Sequence, residues 1–285
     1  MASRRPPSIR LRRLATELRR LRVAAALKQE DVAVRTGLDA SSIYRIERAM
    51  NKPQRRTVTT LLDLYGVTDP DRRATLLEWL KDADQQAWMK QFTPELPDVY
   101  SAFVGFEHEA ERLRAIAPTA VPALLQTEDY ARALLSEGAK VFPHDVERST
   151  AVRIHRQSIL TRPSPVAFCA ILDEAVIRRI VGGPRVMRAQ LNRLVSAAGQ
   201  RNVTLRIVPF SAGPHLGLGG TFVMLDFPDP HDRPLVYTES IMGISLLDAE
   251  TDVARFAHIF ATIEEHALSP GSSRTLIEDA ARALA

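Results

Sequence analysis

The chain has 285 residues, 45% of them hydrophobic and 25% charged, with a formal net charge of +4. That length suits two domains with at least one sizeable core, and the composition excludes wholesale disorder. A single cysteine, Cys169, excludes an internal disulfide and a cysteine metal cluster, and no apolar run reaches the ~18–20 residues that span a bilayer.

The charge is unevenly placed. Residues 1–66 hold 15 Lys or Arg against six Asp or Glu, a net of +9, whereas the remainder carries a net of −5. A basic first quarter on an acidic remainder is the footprint of a polyanion-binding end, although a solvated basic helical face has the same composition. Arg4 and Arg5 lead into no apolar stretch of the signal-peptide type, so a soluble, cytoplasmic protein is expected, without a membrane partner.

In chain order, Leu11, Leu14, Leu18, Leu21 and Ala25 recur at steps of three and four and predict a first helix over 9–27. A second spans Gln29–Thr36 with Val32 and Ala33 inward. Gly37 interrupts it, and Asp39 caps a third helix that runs through Ile43 and Ile46 to about Ala49. A fourth covers about Arg56–Tyr65. A fifth, opened by Pro70, runs over 71–92 with Leu76, Leu77, Leu80, Ala83, Ala87 and Trp88 as its stripe, and two prolines within 93–97 mark a linker. Beyond it the pattern mixes helices at 101–116, 127–137, 144–160, 174–181, 184–199 and 250–268 with strands at 165–172, 203–209, 220–227 and 234–240. The segment from Ser211 to Gly220 holds four glycines and reads as a loop. The fold class is therefore multidomain: an all-α domain over 1–68, a connecting helix and linker over 69–97, and an α+β domain over 98–285.

The first three helices have the proportions of a helix-turn-helix. Ala33 and Gly37 meet its need for a small residue at the helix crossing and a residue free to take positive φ at the turn. The phrases Leu27-Lys28-Gln29-Glu30-Asp31-Val32-Ala33 and Ser42-Ile43-Tyr44-Arg45-Ile46-Glu47-Arg48 resemble the Xre family of lambdoid-repressor-like DNA-binding domains, over roughly residues 9–66. The resemblance implies an ion pair between Arg22 and Glu47 that ties the first helix to the third. At the start of the second helix the Gln29 amide and the free backbone N–H groups would clamp a phosphate, with Lys28 a further DNA-binding residue. Ala40, Ser41 and Ser42 would open the recognition helix, and Arg45 would make a bidentate contact to guanine. Tyr44, Arg48, Lys52, Arg55 and Arg56 would flank the groove. The family commonly has glycine where this chain has Ala26 and Ala49. Shifted caps are expected there, with Asn51 a candidate for the second. Double-stranded DNA bound by a homodimer is the expected interaction.

The phrases Pro122-Ala123-Leu124-Leu125-Gln126-Thr127, Arg156-Gln157, Leu172-Asp173-Glu174-Ala175, Val208-Pro209-Phe210-Ser211 and Ala267-Leu268-Ser269-Pro270 look like the uncharacterised domain found behind Xre helices in actinomycete regulators. Some of those are antitoxin-like and are encoded beside a small acidic protein. The resemblance implies a sensor of a small-molecule effector or a partner protein, with an antitoxin-like, autoregulating interaction protein as the alternative. No HExxH, GxSxG or phosphate-binding GxxxxGK[ST] pattern occurs, so no enzyme, metal or cofactor is expected. Asp173-Glu174 could pass for a catalytic carboxylate pair, but caps of the following helix explain them better. Arg153, Arg156 and Gln157 share a helix face. With Glu174, His215, Tyr237 and Glu239 they form a candidate pocket, against the competing reading of a salt-bridged helix surface.

Overall fold

The computed structural model describes residues 9–80, 98–229, 232–240 and 243–284. The expected linker over 93–97 and the Ala83, Ala87 and Trp88 part of the fifth helix lie outside the described residues. The chain divides into two compact units, the first holding the N-terminal helices and the second the elements from residue 98 onward.

The first unit contains α1 (Ile9–Ala24), α2 (Gln29–Thr36), α3 (Ala40–Glu47), α4 (Arg55–Leu64) and α5 (Pro70–Glu78). The stripe expected on α1 buries Leu14, Leu18 and Leu21 against Val32 of α2, Ile43 and Ile46 of α3, and Val58, Leu61 and Leu62 of α4. Ala25, placed on that stripe from its spacing, is exposed because α1 stops one residue before it. Leu76 and Leu80 join the same core, so α5, expected within a connecting segment, packs as part of the first unit. Gly37 takes φ 72° at the α2–α3 turn, where its N–H bonds the Ala33 carbonyl. A Cβ there would meet nothing within 4 Å, so the left-handed backbone, and not space, calls for glycine.

Both alanine positions correct the expected cap shift. Ala26 and Ala49 each have φ 54°. After α1, Leu27 N bonds Arg22 O and Ala26 N bonds Val23 O; after α3, Met50 N bonds Arg45 O and Ala49 N bonds Ile46 O. These are the paired bonds of a Schellman cap, the same that Gly66 makes after α4 through Gly66 N to Asp63 O and Val67 N to Leu62 O. The caps have not moved to Asn51; alanine itself adopts the left-handed conformation. Since that backbone costs an L-residue roughly 1–2 kcal/mol, Ala26→Gly, at an exposed site, is expected to stabilise the unit by about 1 kcal/mol after glycine's greater chain entropy is deducted. Ala49→Gly should gain less, because it also removes a methyl that is 6% exposed. Chemical denaturation of the two variants checks both the sign and the order.

The second unit is built on a six-stranded sheet in the order β3-β2-β1-β4-β5-β6, with β1 (Arg112–Ala117), β2 (Ala167–Asp173), β3 (Val203–Val208), β4 (Thr221–Asp226), β5 (Leu235–Ser240) and β6 (Gly243–Leu247). The first three strands are parallel, and β4, β5 and β6 form an antiparallel meander on the other side of β1. Around the sheet lie α6 (Asp98–Glu109), α7 (Glu128–Ala139), α8 (Val146–Arg156), α9 (Glu174–Arg178), α10 (Pro184–Ala197), α11 (Glu250–His266) and α12 (Pro270–Arg282). The single helix expected over 101–116 is thus α6 followed by the central strand. The residues of 112–117 pair with β2 and β4, partners more than 50 positions away in sequence.

Strand alternation gives the sheet two different faces. Ile116, Ile171, Phe222, Met224 and Val236 pack with Phe260 and Ile263 of α11. Ala115, Ala117, Phe168, Val223 and Tyr237 face the other way. Ala115, Val223 and Tyr237 lie in one cross-strand row. The free edge at β3 is covered by the start of α12. Ile207 N donates to Ser273 Oγ at 2.9 Å, and Leu268 N donates to Ile207 O at 2.8 Å. Cys169 is half-buried on β2, where burial pushes its thiol up to about 11 and disfavours the thiolate.

Candidate functional site

In the first unit the geometry converges on α3. Its inner face, Ile43 and Ile46, is buried, while Ser41, Tyr44 and Arg48 are exposed and Ala40, Ser42 and Arg45 are half-exposed. The helix is anchored at both ends. At its start, the Asp39 carboxylate accepts from Ser42 N at 2.8 Å, Ser41 Oγ at 2.5 Å and Ser42 Oγ at 2.6 Å. The Ser41 and Ser42 hydroxyls hold this carboxyl far below the usual carboxylate range.

At the end of α3, Glu47 is buried and accepts from Arg22 Nε at 2.6 Å, Arg22 Nη2 at 3.0 Å and Gln29 Nε2 at 2.8 Å. Arg22 also donates to Leu27 O at 2.8 Å, so one guanidinium braces the turn after α1 and fixes α3. One carboxylate therefore binds groups from both of the preceding helices. One Gln29 amide hydrogen is committed to Glu47, which leaves the other, with the backbone N–H groups of the first turn of α2, for a phosphate. Lys28 is exposed at the N-terminus of α2, where its backbone N–H bonds the Asp31 carboxylate at 2.9 Å.

Arg45 extends along the outer face, with Nη2 donating to Ser42 Oγ at 3.1 Å. Its Nε is buried without a hydrogen-bond partner, so outward contacts fall to the terminal guanidinium nitrogens. The Arg48 guanidinium lies 5.5 Å from the Tyr44 ring centroid, one helical turn back. Lys52, Arg55 and Arg56 are exposed in the turn after α3 and the first turn of α4. The result is an outward helix bearing one arginine among small hydroxyl side chains, rimmed by cations. Such a surface can read base edges in a groove and neutralise phosphates on either side.

The second unit holds a cavity of about 780 Å³ on the sheet face opposite α11. Small side chains make the room: Ala115 and Ala117 of β1 and Val223 of β4 line its floor. Phe103 of α6 stacks on Tyr237 at 3.8 Å to form a wall. Of the seven residues expected in one pocket, Arg153, Arg156, Tyr237 and Glu239 line this cavity. Arg156 is buried and chelated by Glu107, Nε to Oε2 and Nη2 to Oε1 both at 2.7 Å, and donates to the Tyr100 hydroxyl at 2.6 Å. Its charge is satisfied inside the protein. Tyr237 donates to Glu239 Oε2 at 3.1 Å. Burial, and then the Glu239 charge, raise the Tyr237 hydroxyl well above its ordinary value, so it remains a donor.

The other three sit elsewhere. The Gln157 amide donates to the carbonyls of Ala123 at 3.0 Å and Gln126 at 2.7 Å, pinning a short 3-10 turn. Glu174 pairs with Arg178 at 2.9 Å and accepts from Phe210 N at 2.8 Å. His215 Nε2 lies 3.0 Å from Asp173 Oδ2, and Asp173 also caps α9 through Ala175 N at 2.7 Å. Sequence spacing puts Gln157 on the Arg153 face of a regular helix, but α8 ends at Arg156 and the chain tightens into a 3-10 turn. Tyr100, Glu107 and Gln126 also line the cavity; of these only Gln126 carries a signal in the sequence, as part of a phrase shared with the resembling domain.

Two family models match the chain: a helix-turn-helix domain over residues 13–76, and a domain of unknown function (DUF5753) over residues 100–279, more than half of the chain. No curated protein matches it, and no solved structure does. Among the described residues no helix is long and apolar enough to cross a membrane, and no cluster of His, Cys, Asp or Glu is arranged to hold a metal ion.

Proposed function

We propose a function from one premise: the chain belongs to the DUF5753 family, with a helix-turn-helix domain ahead of the family's domain. The helix-turn-helix domain supports DNA-binding regulation. Beyond that, we read the protein as an Xre-type, sequence-specific transcription regulator that acts in the cytoplasm as a homodimer on a pseudo-palindromic operator. Its second unit receives a small-molecule effector. The observation that carries this reading is the presentation of α3: buried Glu47 fixes its orientation, and Ser41, Tyr44, Arg45 and Arg48 face outward. The cavity favours a small effector over the antitoxin-like alternative, because a concave, mostly apolar hollow with a few polar groups suits a ligand better than a flat protein surface. Effector control requires that the ligand bind the DNA-competent and DNA-incompetent states with different affinities.

Selection of binding sites by the full chain from a random duplex pool tests the reading. A two-fold-symmetric motif with half-site centres about one helical turn, or a multiple of it, apart is expected. A single asymmetric half-site would remove the dimer, and absence of any enrichment would remove the regulator.

A further inference from the structure

We propose that the cavity of the second unit takes a small organic acid: a compact apolar body bearing one anionic head that pairs with Arg153. This rests on reading that unit as an effector-binding module, and it names the chemistry of the effector.

Charge bookkeeping inside the cavity singles out Arg153. Two arginines line it. Arg156 is neutralised by the two-bond chelate with Glu107, and its guanidinium lies against the Tyr100 and Phe103 rings at 5.5 and 5.2 Å. Arg153 has no carboxylate partner among the described residues. It donates a single bond, Nη1 to Gln126 Oε1 at 3.1 Å. Gln126 is itself buried and held by its amide donating to Val121 O at 2.7 Å. The guanidinium is therefore aimed by a fixed amide, with the rest of its donor fork uncommitted, which is the pre-organisation that an anion receptor needs.

The remaining lining sets the rest of the ligand. Ala115, Ala117, Val223 and Phe168 present side-chain carbon to the hollow, with the hydroxyls of Thr119, Thr221 and Ser240 also in its lining, so a mainly apolar body gains from leaving water. About 780 Å³ lies in the range of small-molecule sites and is far more than an inorganic anion fills. Glu239, at the β5 side of the cavity, already accepts the Tyr237 hydroxyl and keeps a carboxylate at the site. It would repel a second negative group, which favours a monoanion over a dicarboxylate or a phosphate ester.

The test uses the full chain and three acids, each matched with its uncharged amide: octanoate and octanamide, 3-phenylpropionate and 3-phenylpropionamide, indole-3-acetate and indole-3-acetamide. Titration calorimetry should show at least one acid binding roughly tenfold or more tighter than its amide, the worth of a charge-assisted contact. Arg153→Gln should collapse that ratio toward one, and Arg153→Lys should restore part of it. Because the ratio is taken within one protein, partial misfolding cannot produce the change. Ala117→Leu, which fills the floor, should weaken acid and amide together. The proposal is overturned if no acid outbinds its amide, if the preference survives Arg153→Gln, or if Ala117→Leu leaves both affinities intact. Affinity for the selected duplex, measured with and without saturating acid, separates the two ideas. Acid binding that depends on Arg153 but leaves DNA affinity unchanged would uphold the ligand and refute the effector role.

Discussion

Glu47→Ala is expected to destabilise the first unit by about 3–5 kcal/mol, the range for stripping one partner from a buried ion pair. Three donors from two helices converge on this carboxylate. Its removal leaves the Arg22 guanidinium, whose side chain is only 12% exposed, without a counter-charge. The paired substitution Arg22→Met with Glu47→Leu should cost much less than either loss alone, because the desolvation of two charges is then no longer required. Amide hydrogen exchange across α1 to α3 in the full chain reports the effect locally, free of the second unit's own unfolding. A single substitution with a cost below about 1 kcal/mol would mean that the pair is a surface contact of ordinary worth. The same variant should also lose DNA affinity, since α3 is set against α1 and α2 through this group.

Arg45→Ala is expected to weaken binding to the selected duplex by about 1–3 kcal/mol per half-site and to erase preference at one base pair in each. The side chain is held along α3 by Ser42, with a buried Nε that nothing in the protein satisfies. Arg55→Ala, at the exposed start of α4, should instead weaken all duplexes alike and reduce the salt slope of log affinity by about one per bound protomer. Affinities for the selected duplex and its single-base variants, measured across a salt series, distinguish the two roles. Equal, sequence-independent losses from both would assign Arg45 to the phosphate chain and leave base reading without a carrier.

The sequence was most legible where interactions are local. The boundaries of α2, the Asp39 cap and the positive φ of Gly37 follow from residues within one or two turns of each other, and so did the inward set of Val32, Ile43 and Ile46. At Ala26 and Ala49 the local rule pointed the wrong way. Glycine is preferred in a left-handed cap, yet the bonds that close α1 and α3, with the burial of Ala49, hold alanine there.

The second unit was harder to read, because its decisive contacts are distant. Phe103 and Phe106, then Leu113 and Ile116, recur at steps that suit a helix, and only pairing with β2 and β4 makes 112–117 a strand. The edge strand β6 is five residues long and gives no clear alternation. α12 lies outside the expected elements although Ser269 and Pro270, its cap and first residue, are a legible start signal. Distant contacts also decide which of the candidate pocket residues meet in one cavity. Helical spacing brings Arg153 and Arg156 together, but nothing in the sequence announces that Glu107, 49 residues earlier, pairs with one of them and leaves the other, among the described residues, without a carboxylate in hydrogen-bonding reach.

One comparison reaches the central claim, that the outer face of α3 reads base pairs, most directly. The full chain's affinity for its selected duplex should be set against that for a scrambled duplex of the same length at moderate ionic strength. A preference of about 10³-fold or more, typical of specific over non-specific binding, is the predicted result. Equal affinities that fall together as salt rises would mean that the basic end grips any polyanion, and that no base is read.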